Sequence, residues 1–149
     1  MPPGGATLIR RPYSAFRDER PPLAEGPMEV TFLEESRFAW ARFSGPWTID
    51  EICAQVEPLV AECLSRKHRL LLIDWTLLEP QRISTLERYR LSQSAQPFRD
   101  NHIKVATVLQ AVMIDAEKFG ERVAQNRGVN VRTFSDLGEA ERWLLKKGR

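Results

Sequence analysis

The sequence predicts an α/β domain: a single mixed, mostly parallel sheet with helices packed on it, in the order β-β-α-β-α-β-α-β-α. Three observations carry this reading. From Met28 onward, short apolar or β-branched runs alternate with stretches of helical period. Residues 70–73 are apolar on both faces, as a central parallel strand is. Right-handed crossovers then make the later strands parallel, with the first strand antiparallel at an edge. A length of 149 residues and 42% hydrophobic content suit one domain with an ordinary core.

Each element has a local cause. Residues 1–27 read as a flexible or loosely docked arm, because six of the ten prolines fall there with Gly4, Gly5, Gly26 and four arginines. No regular period runs through the arm beyond a short turn around Tyr13 to Arg17. The folded domain is expected over 28–149. Residues 29–33 and 38–44 form two β-rich runs joined by a polar loop, a hairpin that Gly45-Pro46 stops. Thr48 is a good N-cap, with Asp50 and Glu51 in the turn where the helix dipole favours acids. Ile52, Cys53, Val56, Leu59, Val60, Cys63 and Leu64 then mark one apolar helical stripe facing a core, and Pro58 is expected to kink it near its middle. The strand at 70–73 ends at Asp74. Residues 84–96 read as a helix ended by Pro97, and 102–109 as a strand. Residues 115–127 read as a helix with Gly128 as its C′ residue. A last strand is expected at 129–134. The final helix spans 136–147, with Asp136 and Glu139 at capping-box spacing.

Composition narrows the function classes. A net charge of +2 and a pI near 8.7 are too mildly basic to support a nucleic-acid binder. No run approaches the roughly 18 apolar residues of a membrane span. The N-terminus has no apolar stretch of the kind a secretory signal needs, so a cytoplasmic location is expected. Cys53 and Cys63 are too far apart along one helix to pair, and they read as small core side chains. His68 and His102 have no convergent partners, so neither a metal site nor a cofactor is expected. No nucleophile elbow or phosphate-binding glycine loop is present, and an enzyme is not expected.

Several segments taken together resemble a known family. Phe43-Ser44-Gly45-Pro46-Trp47 followed by Thr48-Ile49-Asp50 is similar to the approach to the first helix in the SpoIIAA-like (STAS/SEC14-like) branch of the STAS fold. The proline-containing helix Val56-Glu57-Pro58-Leu59-Val60, the strands Leu71-Leu72-Ile73-Asp74 and Lys104-Val105-Ala106-Thr107-Val108, and the ending from Phe134 to Leu144 are also similar. The resemblance covers 28–149. It implies a bacterial, non-catalytic protein-interaction domain like the anti-sigma-factor antagonists, whose partner is an anti-sigma-type regulator or a kinase. Those antagonists carry a phosphorylated hydroxyl after the central strand. Ser84 falls about there, although Arg82 and Ile83 precede it, and Leu86 and Glu87 stand where the antagonists have glycine. The SEC14-like comparison implies an alternative, a small-molecule or lipid-binding module.

The residues themselves point to the same region. Ser84 and Thr85 sit at a helix start, where backbone N–H groups and the dipole favour an added phosphate, and both are candidate phosphoacceptors. Ser84 also suits an N-cap, with Glu87 completing a capping box. Arg82, Arg88 and Arg90 are placed to pair with a phosphate. Trp47 and Trp75 are expected in loops, where they line an interface or an apolar pocket. The candidate partner surface is therefore Trp75, Arg82, Glu87, Arg88 and Arg90. On this reading Arg88→Glu weakens partner binding and leaves melting nearly unchanged.

Overall fold

The structure, a computed structural model, describes residues 7–12, 27–34, 37–114 and 118–147. Six strands form one sheet in sequential order: β1 (Thr7–Pro12), β2 (Glu29–Glu34), β3 (Ala39–Gly45), β4 (Leu70–Leu78), β5 (Lys104–Val108) and β6 (Val131–Phe134). Only β2 and β3 pair antiparallel; the other neighbours are parallel. The expected α/β class and mixed sheet are present.

Two strand expectations are corrected. Thr7–Pro12, read as part of the arm, is a strand whose backbone runs parallel to β2, from Thr7 opposite Glu29 to Pro12 opposite Glu34. The antiparallel strand β2 therefore lies inside the sheet, one place in from the edge. Proline ends β1, as befits a strand with one unpaired side. The turn expected around Tyr13 to Arg17 lies outside the described residues.

Prolines set the helix boundaries. Helix α1 (Ile49–Ala54) starts on a complete capping box: Thr48 Oγ1 accepts from Glu51 N, and Glu51 Oε1 accepts from Thr48 N. In place of a mid-helix kink, the chain breaks at Gln55 and restarts as α2 (Val56–Ser65). Pro58 is the third residue of α2, where no intrahelical N–H is needed, and its ring would clash with the Ala54 carbonyl in a continuous helix. Pro97 acts alike. It sits in the first turn of a new short helix, α4 (Gln96–Asp100), directly after α3 (Thr85–Ser94). A 3-10 turn (Ala111–Met113), α5 (Phe119–Asn126) and α6 (Leu137–Leu145) complete the chain. Gly128 caps α5 at φ 87°, with Gly128 N on Gln125 O and Val129 N on Ala124 O, the Schellman pattern.

The two sheet faces are covered unequally. One buries Val30, Phe32, Ala41, Phe43, Leu71, Ile73 and Val105 under residues from α1, α2, α4 and α5, with Leu91 of α3 packed at its margin. The other packs Trp40, Leu72, Ala106 and Val108 against Ala140 and Leu144 of α6. Lys104 fastens that helix: its Nζ donates to the carbonyls of Trp143 (2.8 Å) and Lys146 (3.0 Å) at the helix end.

Candidate functional site

The candidate site lies at the carboxyl ends of β4 and β5, where an open α/β sheet presents its loops. It is built on a bulge. Arg42 pairs with Asp74 across β3 and β4, but Ser44 pairs with Leu77, so β4 carries one extra residue around Trp75 and Thr76. The Asp74 carboxylate closes that bulge. Its Oδ1 accepts from Thr76 N (2.9 Å) and Thr76 Oγ1 (2.6 Å), and its Oδ2 accepts from Arg42 Nε (2.9 Å). Asp74 is 1% exposed, so these partners replace the water it has lost.

This corrects three sequence expectations. The strand continues four residues past Asp74, because the bulge interrupts the alternation that marks a strand in sequence. Trp75 is a strand residue, 9% exposed, with its ring edge-on to Phe43 at 6.0 Å. Trp47 follows β3 and is 6% exposed, and its Nε1 donates to Glu79 O at 2.8 Å. Both indoles are core residues of the helix-covered face.

The loop after β4 is tied to the turn after β3. Glu79 N donates to Gly45 O (2.9 Å), and Gln81 Nε2 donates to Trp47 O (2.9 Å). Gln110 Nε2 donates to Thr76 O (2.9 Å). The loop delivers the chain to Ser84, the N-cap of α3. There Ser84 Oγ accepts from Glu87 N (3.1 Å), and Glu87 Oε1 accepts from Ser84 N (3.0 Å). The capping box is complete, and Ser84 and Thr85 are both exposed.

The arginines separate. Arg82 is exposed, with no ion pair among the described residues. Arg90 pairs with Asp50 of α1. Arg88 is half-buried and its Nη2 donates to Met113 O at 3.0 Å, tying α3 to the 3-10 turn. Arg88→Glu removes that tie and sets an acid against a carbonyl, so it costs stability, contrary to the sequence expectation. Of the proposed phosphate-pairing set, only Arg82 is uncommitted in this way.

Three apolar side chains are exposed against expectation: Leu64 at 38%, which was expected in the core-facing stripe, Leu86 at 69% and Val112 at 80%. The signal for Leu86 was present. It stands five residues before Leu91, about 140° round the helix, so the two cannot share a face. Beneath α3 lies a largely apolar cavity of about 120 Å3, whose lining includes Trp75, Ile83, Arg88, Leu91 and Met113.

The other titratable groups serve the fold. Burial, reinforced by Glu62, pushes the Cys63 thiol up to about 12. Burial, then Lys146 and Arg132, lowers the Lys104 ammonium below its usual value. Both cysteines are free, and no cluster of three metal-ligating side chains occurs among the described residues. No described helix is long and apolar enough to cross a membrane.

The parallel-dominated sheet, its antiparallel hairpin and the capped helix after the central strand give an α/β fold consistent with that of STAS domains. Among solved structures, the chain is similar to an anti-sigma factor antagonist from Mycobacterium paratuberculosis, with a TM-score of 0.55 over 84% of this chain and 100% of that one. Identity is 10%, so the likeness is one of fold. No family model and no curated protein matches the sequence.

Proposed function

We propose that this chain is a non-catalytic regulatory domain of the cytoplasm that binds another protein through residues 79–90 and the 3-10 turn. The observation that carries this is the exposure of Leu86 and Val112 on two anchored segments. Exposed apolar side chains on hydrogen-bonded segments are what a partner can bury. Arg82 and Glu87 supply a charged rim, Arg88 and Arg90 hold α3 in place, and Trp75 supports the strand beneath. The fold shared with an anti-sigma factor antagonist supports a partner of the anti-sigma or kinase type. Ser84 or Thr85 is the proposed phosphoacceptor, at an exposed helix start beside Arg82.

The alternative of a small-molecule or lipid module has the cavity under α3 as its support. At about 120 Å3 it is well short of the roughly 300–1,000 Å3 of drug-sized sites, which disfavours a lipid.

The test is affinity capture from the protein's own host, with a phosphopeptide map of the recovered chain. Wild type is compared with Ser84→Asp, Ser84→Ala and Leu86→Asp. Aspartate caps a helix as well as serine does, so Ser84→Asp adds charge at little cost in stability. A defined protein retained by wild type and Ser84→Ala, and lost in Leu86→Asp and Ser84→Asp, is the expected outcome. Identical capture by all four folded chains removes this surface from consideration. A phosphate-free map in cells where Ser84→Asp has no effect removes the switch.

A further inference from the structure

We propose that the end of the sheet opposite the candidate site, where β4, β5 and β6 begin, binds the phosphate backbone of a single-stranded nucleic acid. Helix α6 finishes beside this end, since Lys104 at the start of β5 reaches the carbonyls of Trp143 and Lys146. Lys67, Arg69, Arg132, Lys146 and Lys147 are exposed there, and none has an ion pair among the described residues. The nearby carboxylates Glu62 and Asp100 are engaged by Arg66 (3.1 Å) and Arg99 (2.9 Å). The whole chain carries a net charge of only +2, so the remainder outside these five cations is net negative. Composition, which argued against a nucleic-acid binder, averages over that segregation.

Helix dipoles account for part of the pattern only. Lys67, Lys146 and Lys147 follow helix C-termini, where cations are favoured. Arg69 directly precedes β4 and Arg132 lies within β6, so neither serves a helix end. The cations also crowd one another. Lys104 is buried and spends its ammonium on two carbonyls and on the Trp143 ring, 4.4 Å from its centroid. Burial, then Lys146 and Arg132, holds Lys104 below its usual value, so those two charges lie within repelling distance of it. Like charges gathered without counter-ions make a surface that gains from an anion.

Shape selects the kind of anion. Around the starts of β5 and β6 the surface forms a groove of about 420 Å3, whose lining includes Arg99, His102, Lys104 and Asn130. Arg99 is fixed at this groove: its Nη1 donates to Arg127 O at 3.1 Å. A flat bilayer cannot follow a groove, and a protein interface centres on apolar side chains with charge depleted from its core. A phosphodiester strand runs along a basic groove, and the exposed His102 and Asn130 put polar side chains beside it. Neighbouring strands lie about 4.8 Å apart, so the three strands set cations across about 10 Å. Phosphates recur about every 3.4 Å along a stacked strand, which gives roughly three to four contacts. Backbone contacts of this kind carry little sequence preference. The inference stands apart from the protein-binding surface at the other end of the sheet.

Fluorescein-labelled single-stranded DNA and RNA of mixed sequence, about 12 nucleotides long, are titrated with the full chain at salt concentrations up to about 150 mM, and anisotropy is followed. Saturable binding at the highest salt is expected, with log affinity falling against log salt at a slope of about −2 to −3. Either strand type supports the proposal, and the tighter one identifies the sugar. Arg132→Gln with Lys146→Gln should weaken binding and flatten the slope by about 1.4. Lys118→Gln, which removes a charge just before α5, should leave the slope unchanged. In the 15N-labelled wild type, amides of Arg69, Lys104 and Arg132 should shift on adding the oligonucleotide, while those of Leu86 and Val112 stay in place. Should the double variant not fold, these shifts decide alone. No saturable binding at about 150 mM salt, an unchanged slope in the folded double variant, or shifts confined to other regions overturns the proposal. So does tighter binding to polyglutamate or to phosphatidylserine vesicles, which would make the partner an acidic protein or a membrane. The partner-capture result is a separate measurement and would be unaffected.

Discussion

Replacing Asp74 by alanine should destabilise this domain by about 4 kcal/mol. The carboxylate is 1% exposed and accepts three hydrogen bonds, one from Arg42 and two from Thr76. Removing one member of a buried ion pair typically costs about 3–5 kcal/mol, because the other charge is left without compensation. The Thr76 bonds contribute about 1 kcal/mol each, and they overlap with the first term, since all three rest on one group. Against the roughly 5–15 kcal/mol that holds a typical domain together, such a loss is large. Arg42→Met should cost a similar amount, while Arg42→Met with Asp74→Leu should cost far less than the sum. The assay is urea unfolding of the four chains as a double-mutant cycle. Tryptophan fluorescence is read alongside, because a bulge freed to slip by one residue turns the Trp75 indole to the other face. A loss under about 1 kcal/mol for Asp74→Ala, or no coupling in the cycle, would refute the claim that this pair maintains the bulge.

Other consequences are smaller but equally open to measurement. Lys67 and His102 adopt left-handed φ values of 61° and 55° at helix C-termini, so replacing either with glycine should stabilise by about 0.5 kcal/mol after the cost in unfolded-chain entropy; loss of stability in both would contradict the assigned caps. Cys63, buried with its thiol pushed up to about 12, should resist thiol reagents until the chain unfolds, while half-buried Cys53 reacts first. Mass mapping after a labelling pulse decides between them. Lys104 is held below its usual value by burial, Lys146 and Arg132, so the unfolded chain binds more protons just below the ordinary lysine range. Stability should therefore gain from this group as pH rises through that interval, and denaturation curves of Lys104→Met should lack the gain.

The five strands and the helix order from Met28 onward were legible because each rests on a local pattern: a β-rich run, an N-cap, a proline or a glycine. Thr48, Ser84 and Gly128 are examples, and each caps its helix as its residue type requires. What was not legible depends on pairing. β1 is defined by its partner β2 rather than by any period in Thr7–Pro12. The bulge at Trp75 and Thr76 exists only relative to β3, and the burial of Trp75 follows from it. The arginines of α3 look alike in sequence, and only their neighbours Met113 and Asp50 separate them.

Helix α3 is the element through which these features bear on function, and it is held by polar ties more than by burial. Ser92 is its only fully buried residue, whereas α2 buries Val56, Leu59, Val60 and Cys63. Burying a valine or leucine contributes about 1.5–3 kcal/mol. In place of such burial, α3 has polar ties: Arg88 to Met113 O, Ser92 to Gly120 O, and Tyr89 to Arg127. Each is worth about 0.5–1.5 kcal/mol, and the exposed Arg90–Asp50 pair less than that. Local opening of α3 should therefore need several kcal/mol less than opening of α2. That single motion would displace Leu86 on its outer side and uncover the cavity on its inner side. Native-state hydrogen exchange measures it directly. Amides of α3 should exchange through a local opening that denaturant hardly accelerates, while those of α2 exchange only with global unfolding. Equal protection in the two helices would mean that α3 is part of the rigid core.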